Sequence, residues 1–143
     1  MVREETVRLR LDVLLDVLAD LRRYRDTLVL DELQADRDKQ YMVLHALQIA
    51  AQSSIDLAFH VLADAQAATP PTYAAAFEAL GRQGRIPKDI VVTMTELAGL
   101  RNLITHRYAD LDFALIHDGL REGLPHLEAF AAAVVGWLDA SHT

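Results

Sequence analysis

Residues 94–108 read MTELAGLRNLITHRY, and the spacing of their apolar side chains decides the fold class. Leu97, Leu100, Leu103 and Ile104 recur at intervals of three and four, the mark of an amphipathic helix. On a wheel of about 100° per residue with Arg101 at zero, they fall between about −40° and −160°, the stripe expected to face a core. Thr105, Asn102 and His106 follow at about 40°, 100° and 140°, and Tyr108 returns almost to the Arg101 direction. An arginine, an asparagine, a histidine and a tyrosine are thus expected to share the arc that the apolar stripe leaves free.

Arg101 and Tyr108 then lie two turns apart on one line, while Asn102 and His106 form an i, i+4 pair on a neighbouring line. Arg101 and His106 diverge by about 140°, so one straight helix does not aim both at a single phosphate. Either the helix loosens near His106, or the arginine reaches around, or a second copy of the chain completes the site across a two-fold axis. Thr95, Gly99, Asn102 and His106 make a row of mostly small residues that permits close approach by another helix. Arg107 falls on the apolar stripe, so it either snorkels to water or stands beyond the helix end.

The same periodicity governs the rest of the chain, and no stretch shows sustained period-two alternation. TPPT at 69–72 and GRQGRIP at 81–87 are strong breaks, and LVLDELQADRD at 28–38 is a softer one. Five helices are expected between them. The first, about 3–25, carries Val7, Leu11, Leu14, Leu15, Leu18 and Leu21 on one stripe. The second runs over about 37–67, and the third over about 72–82 with Thr72 as N-cap. The fourth covers about 87–107, with Pro87 in its first turn and Asp89 beside it. The fifth, about 111–140, contains Pro125, which should kink or interrupt it. Short connections between such helices imply an all-α, up-and-down bundle forming a single domain over 1–143.

Composition removes several function classes. The chain has 143 residues, no cysteine, and a balance of 52% apolar to 24% charged residues that suits a globular domain. Disulfides, zinc–thiolate sites and thiol catalysis are excluded. The start, MVREETVRLRL, lacks the apolar core of a signal peptide, and the longest apolar run, FAAAVVGWL, is too short to span a bilayer. A cytoplasmic protein without membrane association is expected. A net charge of −7 argues against non-specific nucleic-acid binding over the whole surface. Two local basic clusters, Arg22, Arg23 and Arg25, and Arg82, Arg85 and Lys88, read as solvated helix ends rather than phosphate contacts.

The polar set on the fourth helix suits metal-free RNA cleavage. That reaction needs a base for the 2′-hydroxyl proton, an acid for the leaving 5′-oxygen, and positive charge on the phosphorane-like transition state. His106 is the side chain suited to proton transfer near neutral pH, and Arg101 offers a permanent charge and a fork for phosphate oxygens. Asn102 could hold the imidazole or a phosphate oxygen, and Tyr108 adds a stacking surface and a hydroxyl. The set fits transphosphorylation to a 2′,3′-cyclic phosphate and lacks the carboxylates of a magnesium site. By spacing alone, an Arg and a His five apart are common in helices, and a solvated helix end is the competing reading.

RNLITHRY, an Arg, four residues, His, any residue, Tyr, with Asn after the Arg, resembles the motif of the HepT-like toxins of the HEPN superfamily. YMVLHALQIAAQSSIDLAFHVLAD and PTYAAAFEALGRQGRI resemble the corresponding family segments, and the likeness covers about 35–135. It implies an all-α HEPN bundle that dimerises with the motif lining a cleft between protomers. It further implies a metal-independent endoribonuclease, needing no cofactor and acting on RNA rather than DNA, as the toxin of a type VII-like toxin–antitoxin pair. The implied partner is a nucleotidyltransferase antitoxin of the MntA-like kind that adds AMP to the motif tyrosine. Arg101 and His106 would then be catalytic, Asn102 supporting and Tyr108 the modified residue. The alternative is a non-catalytic HEPN subunit that docks or presents substrate to a nucleotidyltransferase.

On the second helix Tyr41, His45, Gln48, Gln52 and Asp56 share one face, as a solvated or core-network stripe. In its functional version Asp56 supports the site, pairing with Arg101 or orienting His106. His60, His117 and His126 lack metal-ligand spacing and read as structural, and His142 sits at the chain terminus. Phe130 and Trp137 read as core rather than as a base-stacking platform.

Overall fold

A computed structural model describes residues 4–65 and 67–140; His142 lies outside them. The chain forms α1 (Glu4–Thr27), α2 (Leu30–Ala35), α3 (Arg37–Asp64), α4 (Tyr73–Arg82), α5 (Lys88–His106) and α6 (Phe113–Ala140), with a 3-10 turn at Tyr108–Asp110. All five expected helices are present. Among the described residues no helix is long and apolar enough to cross a membrane.

The helix ends follow local chemistry. Thr72 caps α4, its hydroxyl accepting from the Ala75 N–H at 3.0 Å, and Asp36 caps α3 by accepting from the Asp38 and Lys39 N–H groups. Asp112 does the same for α6, through the N–H groups of Ala114 and Leu115. Each such cap is worth about 1 kcal/mol. The α4–α5 turn closes where the Arg85 N–H reaches back to the Leu80 carbonyl at 3.0 Å. Gly84 makes this possible at φ +72°, a left-handed conformation that glycine adopts without steric cost.

Four long helices make the bundle. α1 packs along α3 and α6, and α5 packs along the same two from the other side. Cross-contacts give the directions: Arg22 meets Glu128 while His117 meets the Leu28 carbonyl, so α1 and α6 are antiparallel. Gln52 meets Arg101 and Tyr41 meets Tyr108, so α3 and α5 are antiparallel too. One apolar core runs through the bundle. Phe77 of α4 and Phe130 of α6 lie edge to face at its centre, 5.7 Å between ring centroids, with Trp137 against Phe130. Phe130 and Trp137 are therefore packing residues, as the sequence suggested.

Several details depart from expectation. The stretch read as a soft break folds as the short α2, pinned by burial of Leu33 and by the Lys39–Glu32 ion pair. That pairing holds the Glu32 carboxyl below the usual carboxylate range. On α1, Val17 is buried and Leu15 is exposed. Pro87 sits at the N-cap of α5 rather than inside its first turn. Pro125 does not interrupt α6. Both it and Arg121, whose carbonyl it leaves without a helical donor, are exposed, so water can take the place of the missing N–H. Arg22, Arg23 and Arg25 are paired with Glu128, Asp20 and Asp26, and Arg85 lies over the Trp137 ring.

α4 approaches α5 closely because residue 81 has no side chain. A Cβ built there would stand 2.6 Å from the Val91 Cγ2 methyl, which a stiff β-branched side chain cannot move aside. Gly81→Ala is therefore expected to cost about 1–3 kcal/mol in thermal unfolding. The double variant with Val91→Ala should be less destabilised than the sum of the two single changes.

Candidate functional site

The rotation of α5 sets the site. Its buried residues are Ile90, Met94, Leu97 and Ala98, which on the wheel cluster within about 60° of the Arg101 direction. Leu100, Leu103 and Ile104 are only half-buried. The apolar stripe inferred from the sequence is thus rotated from the true one by roughly a quarter turn. Arg101 does not share a free arc with Asn102 and His106; it continues the core-facing line at the end where the core runs out. The cause is the position of neighbouring helices. Val91 meets α4 at Gly81, Thr93 meets His126 of α6 at 2.7 Å, and Arg101 points between them at α3.

Arg101 is half-buried and held from three directions. Its Nε donates to the Gln52 Oε1 on α3 at 3.3 Å. Its guanidinium lies over the ring of Tyr73 at the start of α4, 5.3 Å from the centroid. Its Nη1 donates to the Asn102 Oδ1 at 3.4 Å. The Thr105 hydroxyl donates to the Arg101 carbonyl, closing the helix below. Gln52 in turn donates from Nε2 to the Asp56 Oδ1 at 3.0 Å, and Asp56 also faces Arg10 of α1 at 3.5 Å.

His106 stands apart. It is the last residue of α5, exposed, and its imidazole has no partner among the described residues. The Arg107 N–H still donates to the Leu103 carbonyl at 2.8 Å, so the helix does not loosen before it ends and the divergence of about 140° from Arg101 stands. Arg107 is outside the helix, at φ −141° and ψ 50°, and pairs with Asp110 at 2.7 Å across the 3-10 turn. Tyr108 rides on that turn, 44% exposed, its ring 6.4 Å from Tyr41 of α3.

The α3 stripe is therefore the edge of the site. Tyr41 touches Tyr108 and Gln52 touches Arg101, with exposed His45 and half-buried Gln48 between them on the same row. Asp56 pairs with neither Arg101 nor His106 directly; its partners are Arg10 and Gln52, and it reaches Arg101 only through the amide. Gln52 and Tyr73 were not singled out by the sequence, where nothing separates one glutamine of a polar stripe, or a tyrosine in a first helical turn, from its neighbours. His117 and His126 are tied to the Leu28 carbonyl and the Thr93 hydroxyl, which gives them structural work between helices. His60 lines a groove of about 480 Å³ beside Gln52 and Tyr73. Among the described residues no three His, Asp or Glu side chains are grouped so as to share a metal ion.

The chain and its fold have counterparts. Residues 14–134 match the family described as HepT-like, Ribonuclease HepT-like. A tRNA nuclease HepT of Aphanizomenon flos-aquae is 26% identical over 103 residues, 72% of this chain and 69% of that protein. The fold is similar to a toxin–antitoxin crystal structure with AMP-PNP, at TM-score 0.83 and 19% identity, covering 92% of this chain and 98% of the other. It is equally similar to the tri-AMPylated HEPN toxin of Shewanella oneidensis in complex with its MNT antitoxin, at TM-score 0.83 and 18% identity over 95% and 99% of the two chains. Half of the chain and more lies within that family match, and the chain belongs to the HepT-like ribonuclease family.

Proposed function

We propose that this chain is a metal-independent endoribonuclease, the toxin of a toxin–antitoxin pair, active as a homodimer. The observation that carries this reading is the contrast within one helix: Arg101 is fixed in a cradle that leaves its charge unneutralised, while His106 is free and open to solvent. A fixed cation and a mobile proton carrier are what an oxyanion-stabilising group and an acid–base group require. Family membership and the tRNA-cleaving relative add independent support.

In this mechanism the His106 imidazole takes the proton from a 2′-hydroxyl, and that oxygen attacks the neighbouring phosphorus. The bond to the 5′-oxygen breaks, and a 2′,3′-cyclic phosphate forms. Arg101 carries the negative charge that builds on the non-bridging oxygens. The leaving 5′-oxygen collects a proton from a second imidazole, which the His106 of a second copy supplies. Asn102 accepts from the Arg101 Nη1, and Asp56 supports the guanidinium through Gln52.

The open face of α5 suits such a pairing. Val92 is 51% exposed, and Gly99, Asn102 and His106 follow on the same side. A Cβ at Gly99 meets nothing within 4 Å, so the protomer itself leaves room that a facing helix can use.

Tyr108 is the residue we assign to modification by a nucleotidyltransferase. A structural neighbour supports this reading: a tri-AMPylated HEPN toxin in complex with an MNT antitoxin. Here the Tyr108 ring is exposed at the end of α5, so added phosphates would place negative charge where an RNA backbone must enter.

Purified protein is expected to cut RNA in EDTA and to leave cyclic phosphate ends, read by mass spectrometry. His106→Ala and Arg101→Ala should each lower the rate by about 10²–10⁴-fold in a chain that stays folded. EDTA-sensitive cleavage, or full activity in both variants, refutes the assignment. Tyr108→Phe should still arrest growth when the cognate nucleotidyltransferase is co-expressed, whereas the unaltered protein should not. Gly99→Phe should convert a sedimenting dimer to a folded monomer and remove activity; a dimer that tolerates it does not pair through this face.

A further inference from the structure

The Arg101 guanidinium has five N–H donors and no acceptor, so what binds it decides what remains for a substrate. Nε is taken by Gln52 and one Nη1 hydrogen by Asn102. The Tyr73 ring covers one face. Both Nη2 hydrogens and the second Nη1 hydrogen have no partner among the described residues, and these three donors remain for the oxygens of one phosphate.

The orientation of the Gln52 amide is not arbitrary. An amide has a donor end and an acceptor end. Asp56, held by Arg10, offers only acceptor oxygens and so commits the Gln52 Nε2. The Oε1 must then face Arg101, where an acceptor is needed. A carboxylate in place of Gln52 would also accept from Nε, but it would cancel the cation. The neutral amide satisfies the guanidinium without discharging it.

We propose that Gln52 and Tyr73 are positioning residues that preset Arg101, fixing its remaining Nη1 and Nη2 donors toward the incoming phosphate before substrate binds. This inference rests on the nuclease reading of Arg101. Gln52 supplies direction through one hydrogen bond, Tyr73 holds the plane through its ring, and Asp56 keeps the amide from turning over. A guanidinium displaced by about 1 Å would be expected to cost on the order of 10²-fold in rate, with less effect on substrate affinity because the charge is retained.

The test uses the full chain with three variants. Gln52→Leu keeps the volume and removes the acceptor, Tyr73→Leu removes the ring, and Tyr73→Phe keeps it. Gln52→Leu and Tyr73→Leu are expected to lower kcat by about 10–100-fold, with KM changed less than about threefold and the melting temperature held. Tyr73→Phe should restore most of what Tyr73→Leu loses. Independently of any activity, exchange of the Arg101 Nε proton with water is followed by nitrogen-resolved NMR, with Arg101→Lys identifying the signal. It should be slower in the unaltered chain than in Gln52→Leu. Equal exchange in the two, or wild-type kcat in both leucine variants, overturns the proposal. If the unaltered chain cuts no RNA, the nuclease reading fails by itself, and the exchange measurement still decides whether Gln52 holds Arg101.

Discussion

Burial of Ile90, Met94, Leu97 and Ala98 fixes the rotation of α5 about its axis, and with it the direction of every polar side chain from 101 to 106. Arg101 continues that buried line, so its stem is carried inward against α3 and α4 while its charge has to be accommodated. Leaving a guanidinium partly desolvated and unpaired would cost several kcal/mol. A carboxylate partner would offset that cost and quench the charge. The chain instead offers a neutral amide and an aromatic face, a cation–π contact of the kind worth about 0.5–2 kcal/mol. The acidic group is kept one turn further along α3, where Arg10 balances it. Packing and charge retention are thus met by the same few residues.

His106 meets the opposite condition. It closes the helix on the exposed side, where its ring has no partner among the described residues. A rigid helix gives precise placement, yet it also holds positions 101 and 106 apart by about 140°. Functional groups carried on helices are placed more accurately than groups on loops, and the cost is that two of them five residues apart cannot converge unaided. Under the proposed homodimer, a second copy would supply the group that one helix cannot aim at the same phosphate. The open space at Gly99 fits that requirement.

Much of this was legible from spacing and turn chemistry. Thr72, Gly84 and the 94–106 periodicity mark elements because each rests on local rules, a cap, a left-handed turn and a 3.6-residue repeat. The rotation of α5 was not. Leu100, Leu103 and Ile104 outweigh Met94 and Ala98 on any hydrophobicity scale, yet Met94 and Ala98 are buried, on a helix that α4 approaches closely where Gly81 meets Val91. That information is tertiary. Arg107 was undecidable for the same reason: snorkelling and helix termination fit one sequence, and the Asp110 ion pair with the 3-10 turn selects termination. Likewise α2 buries only Leu33, too little periodic signal to separate it from a loop. At the site, the residue types were readable, whereas the links from Arg10 through Asp56 and Gln52 to Arg101 join α1, α3 and α5 and leave no trace in local spacing.

The charge balance sharpens what recognition of RNA would demand here. At −7 overall, the chain repels a polyanion at long range, and the Arg22, Arg23 and Arg25 cluster is spent on ion pairs with acids. Affinity built from many phosphate contacts falls steeply with salt, by about one power of concentration for each contact. A chain of this composition has few cations to spend that way, so under the proposed function its selectivity would come from shape and from a small number of fixed donors. A preset arginine is the economical form of such a donor: one fork, already oriented, binds one phosphate well and leaves the rest of the strand to be selected by the walls around it. Under the proposed function the acidic surface would add to specificity, because it would repel anionic chains that do not reach the fixed donor.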